Sequence, residues 1–115
     1  MQRSWIVKRL CFDPITLTTA RIKMRLLMKL LIPAKAGNKS IADDSMSVAM
    51  NDFIASANPE ASYFFLEQGK RAAIFIFEEN CQDQLMTYNE KFFAAFDAEI
   101  WITPTLNLKE LQLNL

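Results

Sequence analysis

Few residues of this 115-residue chain could do chemistry, because it contains no histidine. That excludes Ser-His and Cys-His nucleophile pairs and removes the most common zinc and haem ligand. Lysine and arginine can anchor a carboxylate, and aromatic rings can wall a cavity. The candidate ligand-binding residues are therefore Lys29, Tyr63, Arg71, Glu99 and Trp101. No catalytic residue can be named, and we expect neither a metal site nor a cofactor.

Lys29 is the most informative candidate, because it falls in the middle of a predicted central strand, where an unpaired charge is costly. Glu99, on a predicted neighbouring strand, shares its face and could neutralise it. Tyr63 and Trp101 would add aromatic walls with one polar group each. Two interpretations remain open: a ligand cavity, or an ion pair among packed interface aromatics.

Weaker signals concern an anion site and the cysteines. Gly37-Asn38 precedes a predicted helix and resembles an anion-binding loop. It lacks the repeated glycines of a phosphate cradle, which favours a simple turn and cap. Cys11 and Cys81 do not make a disulfide framework, so we expect two unpaired thiols in a reduced, cytoplasmic protein.

Composition indicates one ordinary globular domain, with 51% hydrophobic and 23% charged residues. The net charge is zero but unevenly distributed: residues 1–23 carry five basic residues and one acidic residue, whereas the remainder carries eight and twelve. The main body therefore has no basic surface for nucleic acid. The apolar run at 26–32 contains Lys29 and is far shorter than the about 20 residues of a membrane span.

Residues 1–23 do not share the pattern of the rest, because they are basic and lack clear periodicity. Either they form an N-terminal extension outside the fold, or translation begins at Met24; we favour the second interpretation. A secretory signal over the following apolar run is disfavoured because Lys29 interrupts it. We expect a single domain over residues 24–115.

From Met24 onward the periodicity predicts strand, helix, strand, strand, helix, strand. The predicted strands are 25–32, 61–67, 71–77 and 98–103, and the predicted helices are 40–57 and 81–96. Residues 34–39 are expected to form a loop, and the leucine-rich tail from Leu106 could be helical or extended. Two split βαβ units in this order predict an α+β, ferredoxin-like βαββαβ sandwich: a four-stranded antiparallel sheet with two helices on one face. Right-handed crossovers would put the first and third strands in its centre.

The stretch 61–77 predicts a β-hairpin that is apolar on both faces, with a turn at Gln68-Gly69. This turn would place Phe65 opposite Ala72 and Tyr63 opposite Ile74. A sheet with helices on one side only would leave a large apolar patch, which soluble monomers seldom expose. The simplest cover is the same face of a second copy, giving a homodimer. The alternative cover is the N-terminal extension or the leucine-rich tail.

Several short segments also carry a family resemblance: 24–33, 36–38, 44–45, 59–61 with 63–64, 69–71, and 92–104. Together they resemble a family of small uncharacterised, mostly bacterial proteins of the dimeric α/β-barrel, ferredoxin-like type. Some members carry the label pantothenate synthetase, which does not fit a chain without histidine and of this size. The resemblance implies the fold and the dimer but no residue roles. The recurring family residues present here are Gly37, Asn38, Tyr63, Gly69, Lys70 and Arg71.

Three functions follow as hypotheses. The first is a dimer that binds or converts a small metabolite on the sheet face, without a cofactor, as an isomerase or oxygenase would. The second is a non-catalytic interaction or regulatory module. The third, a role for the basic N-terminal segment at membranes or nucleic acid, ranks last because its net charge is small. We therefore expect neither nucleic acid nor membrane as a partner.

Overall fold

A computed structural model describes residues 24–115, which form a four-stranded antiparallel sheet and four helices. In chain order the elements are β1 (Arg25–Ile32), α1 (Ala34–Ala42), α2 (Ser45–Ala57), β2 (Ala61–Glu67), β3 (Lys70–Glu78), α3 (Gln82–Phe96), β4 (Glu99–Pro104) and α4 (Leu108–Leu113). The strand order is β2-β3-β1-β4, so the prediction that the first and third strands are central is confirmed. The N-terminal extension lies outside the described residues.

The predicted hairpin forms with the predicted register: Phe65 pairs with Ala72 and Tyr63 with Ile74. Gln68 and Gly69 lie between the strands with φ of 55° and 76°. Two successive positive φ angles are typical of the tight turns whose twist matches that of the flanking strands. The local sequence therefore sets the pairing of β2 with β3.

The core lies between one face of the sheet and the helices. The even-numbered residues of β1, from Leu26 to Ile32, are all apolar and all buried. On β3 the same side carries Phe75 and Phe77, and α2 places Phe53 against both rings. The buried core cluster is Leu26, Met28, Leu30, Ile32, Phe53, Ala57, Ala73, Phe75, Phe77, Tyr88, Phe92, Phe96 and Ala98.

The helical prediction was wrong between Pro33 and Ala57. The expected loop at 34–39 belongs to α1, and the expected single helix over 40–57 is two helices. Pro33 is the N-cap of α1, where its fixed φ and its missing N–H do no harm. Asp44, with φ of 64°, separates α1 from α2. Gly37-Asn38 thus lies inside a helix rather than before one, which removes the basis for an anion-binding loop.

One further expectation is corrected near α3, at Cys81, which is the N-cap of this helix. The side chain of the preceding Asn80 accepts a hydrogen bond from the backbone N–H of Met24. Cys81 is buried and disulfide-bonded, so the expectation of an unpaired thiol is wrong for this residue. Cys11 lies outside the described residues. No helix within residues 24–115 is long and apolar enough to cross a membrane.

Candidate functional site

Strand register places four of the five candidate residues on the sheet face opposite α2 and α3, which we call the outer face. Trp101, Lys29, Ile74 and Tyr63 face one another across β4, β1, β3 and β2 and form one row of side chains. The next row contains Glu99, Leu31, Ala72 and Phe65. Because paired residues point to the same side of a sheet, the predicted set is assembled by the register itself.

Lys29 is the one charged side chain of the first row. Its Nζ donates a hydrogen bond of 2.6 Å to Oε2 of Glu67, the last residue of β2. The two side chains are 28% and 33% exposed, so the pair is half-buried. The same Nζ lies 5.4 Å from the centre of the Trp101 ring, within cation–π range. Lys29 thus has one anionic and one aromatic neighbour.

The expected partner of Lys29 was Glu99, and this expectation is wrong: the ion pair of Lys29 is with Glu67. Lys29 lies on β1 and Glu67 on β2, so their side chains must reach over β3 to meet. The row of side chains between Lys29 and Glu67 contains Ala72, which is 3% exposed. Alanine leaves room for a long lysine side chain above the strand. Reasoning from adjacent strands alone could not find a partner two strands away.

Arg71 does not belong to this site. It precedes Ala72 on β3 and therefore points to the helix side of the sheet. Its Nη2 donates a hydrogen bond of 3.0 Å to Oδ1 of Asn38 in α1. A Cβ added to Gly37 would lie 2.7 Å from Nη1 of Arg71. Three residues of the family resemblance therefore meet between β3 and α1, where they pack a helix onto the sheet.

Arg25, which was not among the residues predicted from the sequence, links the start of β1 to α4 and to the segment before β2. Its Nε donates to Oε1 of Glu60 at 2.9 Å, and its Nη1 donates to Oε1 of Glu110 in α4. The backbone N–H of Asn107, followed by Arg25, lowers the pKa of Glu110 below its usual value. Hydrogen bonds from Arg25 to the two carboxylates raise the pKa of its guanidinium. This network holds α4 beside the start of β1.

A concavity lies on the helix side, with a volume of about 300 Å³. It is open and lies where the junction of α1 and α2 meets the end of α3. The backbone N–H of Ser45 donates to Oδ1 of Asp43 at 3.0 Å, and hydrogen bonding with Ser45 lowers the pKa of that carboxyl. The residues that line this concavity are Ala36, Lys39, Asp43, Ser45, Phe93, Ala94, Ala95, Phe96 and Asp97.

The chemistry available on the outer face is that of binding. An ammonium group beside an indole ring can hold an anionic or aromatic molecule, and Tyr63, which is 63% exposed, can hydrogen-bond to it. Within residues 24–115 no group of three or more His, Cys, Asp or Glu side chains is placed to hold a metal ion.

Comparison with known proteins supports the fold and assigns no activity. The structure is similar to that of the uncharacterized protein TM1266 from Thermotoga maritima, with a TM-score of 0.52 and 8% sequence identity. The match covers 73% of this chain and 99% of that chain. No family model matches the chain, and no curated protein matches it. The similarity agrees with a small uncharacterised family and, at this identity, concerns the fold alone.

Proposed function

We propose that this protein is a ferredoxin-like homodimer of the dimeric α/β-barrel type that binds a small metabolite on the outer face of its sheet. The observation that carries this proposal is the half-buried ammonium group of Lys29, which lies beside the exposed Trp101 ring, with the exposed Tyr63 in the same row beyond Ile74. A charge in the middle of a central strand has a desolvation cost that packing alone does not require.

The strand order supports the ferredoxin-like part of the proposal. Two split βαβ units place their strands as β2-β3-β1-β4, with the second strand of each unit beside the first strand of the other. The additional helix α1 precedes α2 within the first crossover and packs on the same side through Ala36. The outer face is therefore the face that such a sheet would present to a partner.

Charge and composition favour a second copy of the chain as that partner. The apolar side chains of the outer face alternate with equal numbers of basic and acidic ones, so a two-fold axis can bring opposite charges together. The basic residues are Arg25, Lys29 and Lys70, and the acidic residues are Glu67, Glu78 and Glu99. Covering the exposed aromatic groups would stabilise the dimer by about 25 cal/mol per Å² of apolar surface.

The ligand follows from the side chains that would contact it. A lysine ammonium favours an anionic group, and the Trp101 ring favours a flat apolar one. Lys29 and Tyr63 would be the acid–base groups of a cofactor-independent reaction such as an isomerisation. A cytoplasmic location in a bacterium is part of this proposal. Because disulfides are rare in that compartment, the bonded state of Cys81 is the observation that stands against it.

Light scattering tests the dimer at roughly tens of micromolar protein. Wild type is expected to have twice the monomer mass, and Trp101→Asp to be monomeric, because it would bury an unpaired charge at the interface. Val48→Asp is the matched control, since Val48 is 66% exposed on α2, away from the outer face. A monomeric wild type, or equal dissociation of both variants, would contradict the interface.

A thermal-shift screen of several hundred metabolites tests the ligand site on wild type and on Lys29→Met. The proposal requires a compound that raises the melting temperature of wild type and loses this effect in the variant. If no compound stabilises a dimeric wild type, the outer face only joins two subunits, and the non-catalytic interaction module replaces the metabolite-binding protein.

A further inference from the structure

We propose that Glu67 is a built-in competitor for the ligand, and that the ligand is an aromatic carboxylate whose carboxyl group displaces Glu67 from Lys29. This inference rests on the proposed metabolite site. In the structure the Glu67 carboxylate receives the hydrogen bond from Nζ that a ligand carboxylate would receive, at 2.6 Å, while the Trp101 ring lies 5.4 Å from the same nitrogen. Glu67 and Trp101 together mark where the two halves of the ligand would bind.

Glu67 is placed where it can leave. It is the last residue of edge strand β2 and borders the turn at Gln68-Gly69, and its side chain is one-third exposed. Lys70 lies directly opposite it in the β-ladder. Cross-strand partners of opposite charge attract each other, so a displaced Glu67 carboxylate would find a new partner without moving the backbone. The exchange therefore leaves neither Glu67 nor Lys29 without a counter-charge.

The geometry also explains why the pair is easily broken. Between Lys29 and Glu67 lie the intervening strand β3 and the row of Ala72. Two long side chains must both extend to meet, which costs side-chain entropy, and half-exposed ion pairs add about 1 kcal/mol or less. A ligand held over Lys29, in a cavity between the sheets of the two subunits, has no such requirement.

The size of the ligand follows from the spacing of the row. Trp101 and Lys29 face each other on adjacent strands, about 5 Å apart. A carboxylate joined to a ring directly, or through one carbon, can contact the ammonium group while its ring packs against the indole. Aliphatic dicarboxylates would engage Lys29 but leave Trp101 unused.

Calorimetric titration with phenylacetate, and with its uncharged analogue phenylacetamide, tests the inference. Wild type is expected to bind phenylacetate more tightly than phenylacetamide. Glu67→Gln is expected to bind phenylacetate about fivefold more tightly than wild type, which is the affinity equivalent of removing a half-exposed ion pair. Lys29→Met is expected to lose binding. Glu78→Gln removes an outer-face carboxylate at the other end of β3, away from Lys29, and is expected to leave affinity unchanged.

Glu67→Asp separates direct competition from a general effect of charge. It keeps the negative charge but is one methylene shorter, so it cannot span the same distance to Lys29 and should also bind phenylacetate more tightly. Equal affinity of wild type, Glu67→Gln and Glu67→Asp would overturn the competitor role. Equal binding of phenylacetate and phenylacetamide, or no binding of either to any of these proteins, would overturn the ligand class. The dimer and a ligand found by the thermal-shift screen could survive both results.

Discussion

The pKa of Tyr88 reports how far water is excluded from the core, because ionisation of its hydroxyl would place a negative charge there. Its side chain is 2% exposed, and its ring lies edge-on to those of Phe53 and Phe77. Its hydroxyl donates to Oε1 of Glu79 at 3.3 Å. Burial, followed by the charge of Glu79, raises its pKa from 10.0 to about 12.

The consequence for stability follows from the direction of this shift. The folded state holds the Tyr88 proton more tightly than the unfolded chain. The resulting contribution to the free energy of unfolding is complete below pH 10 and is lost as the pH rises towards 12. Each unit of difference corresponds to about 1.4 kcal/mol, so the loss is roughly 2 to 3 kcal/mol. Unfolding should therefore become easier with rising pH over this interval.

The chain contains two tyrosines, so a single substitution isolates the signal. In Tyr63→Phe the tyrosinate absorbance belongs to Tyr88 alone, and its midpoint is expected near pH 12. Circular dichroism on the same samples shows whether the fold persists. Adding Glu79→Gln to this variant should move the Tyr88 midpoint only part of the way back towards 10, since burial is the larger cause of the raised pKa. A Tyr88 midpoint near pH 10 in a folded protein would refute the reasoning.

Two further predictions concern packing. The Phe53 ring contacts four other rings, those of Phe75, Phe77, Tyr88 and Phe92. In urea titrations Phe53→Ala should therefore lower the free energy of unfolding by about 3 to 5 kcal/mol, whereas Val48→Ala, on the exposed side of α2, should change it by less than about 0.5 kcal/mol. Similar losses in the two variants would contradict the assigned core. Gly37→Ala adds a helix-favouring residue but crowds the Arg71 side chain. In a double-mutant cycle, its effect on the free energy of unfolding should be more favourable by about 0.5 kcal/mol or more when Arg71 is also replaced by alanine. Strict additivity of the two substitutions would mean that the close approach of Gly37 and Arg71 is unimportant.

The sheet was predictable because its signals are local. Alternation on β1 identified the buried face, and Gln68-Gly69 fixed the hairpin register. The break between α1 and α2 was not predictable in this way. Gly37-Asn38 signalled a loop, but the structure places both residues in a helix, with Gly37 close to Arg71. Such an approach between distant residues leaves no periodic trace in the sequence.

The site was predictable only in part, for the same reason. The face shared by Lys29, Tyr63 and Trp101 follows from strand alternation once the strand order is known. The partner of Lys29 does not follow from alternation, because it depends on how far the two side chains reach over β3 and on the small size of Ala72. Arg71 was assigned to the site by its residue type alone. It is the neighbour of Ala72 on β3, and because neighbouring residues of a strand point to opposite faces, its side chain lies on the helix side.

The sheet also constrains how the chain can fold during synthesis. The central strand β1 comes first among the described elements, yet its partners are β3 and β4, and Arg25 bonds to a residue 85 positions later. Among the described residues β1 has no strand to pair with while it emerges from the ribosome, and the hairpin of β2 and β3 is the first pairing that can form. Because closing the long loop between β1 and β3 is slow, β1 stays an exposed apolar segment at least until β3 has been synthesised. A nascent chain of this topology therefore passes through a stage at which chaperones would find it.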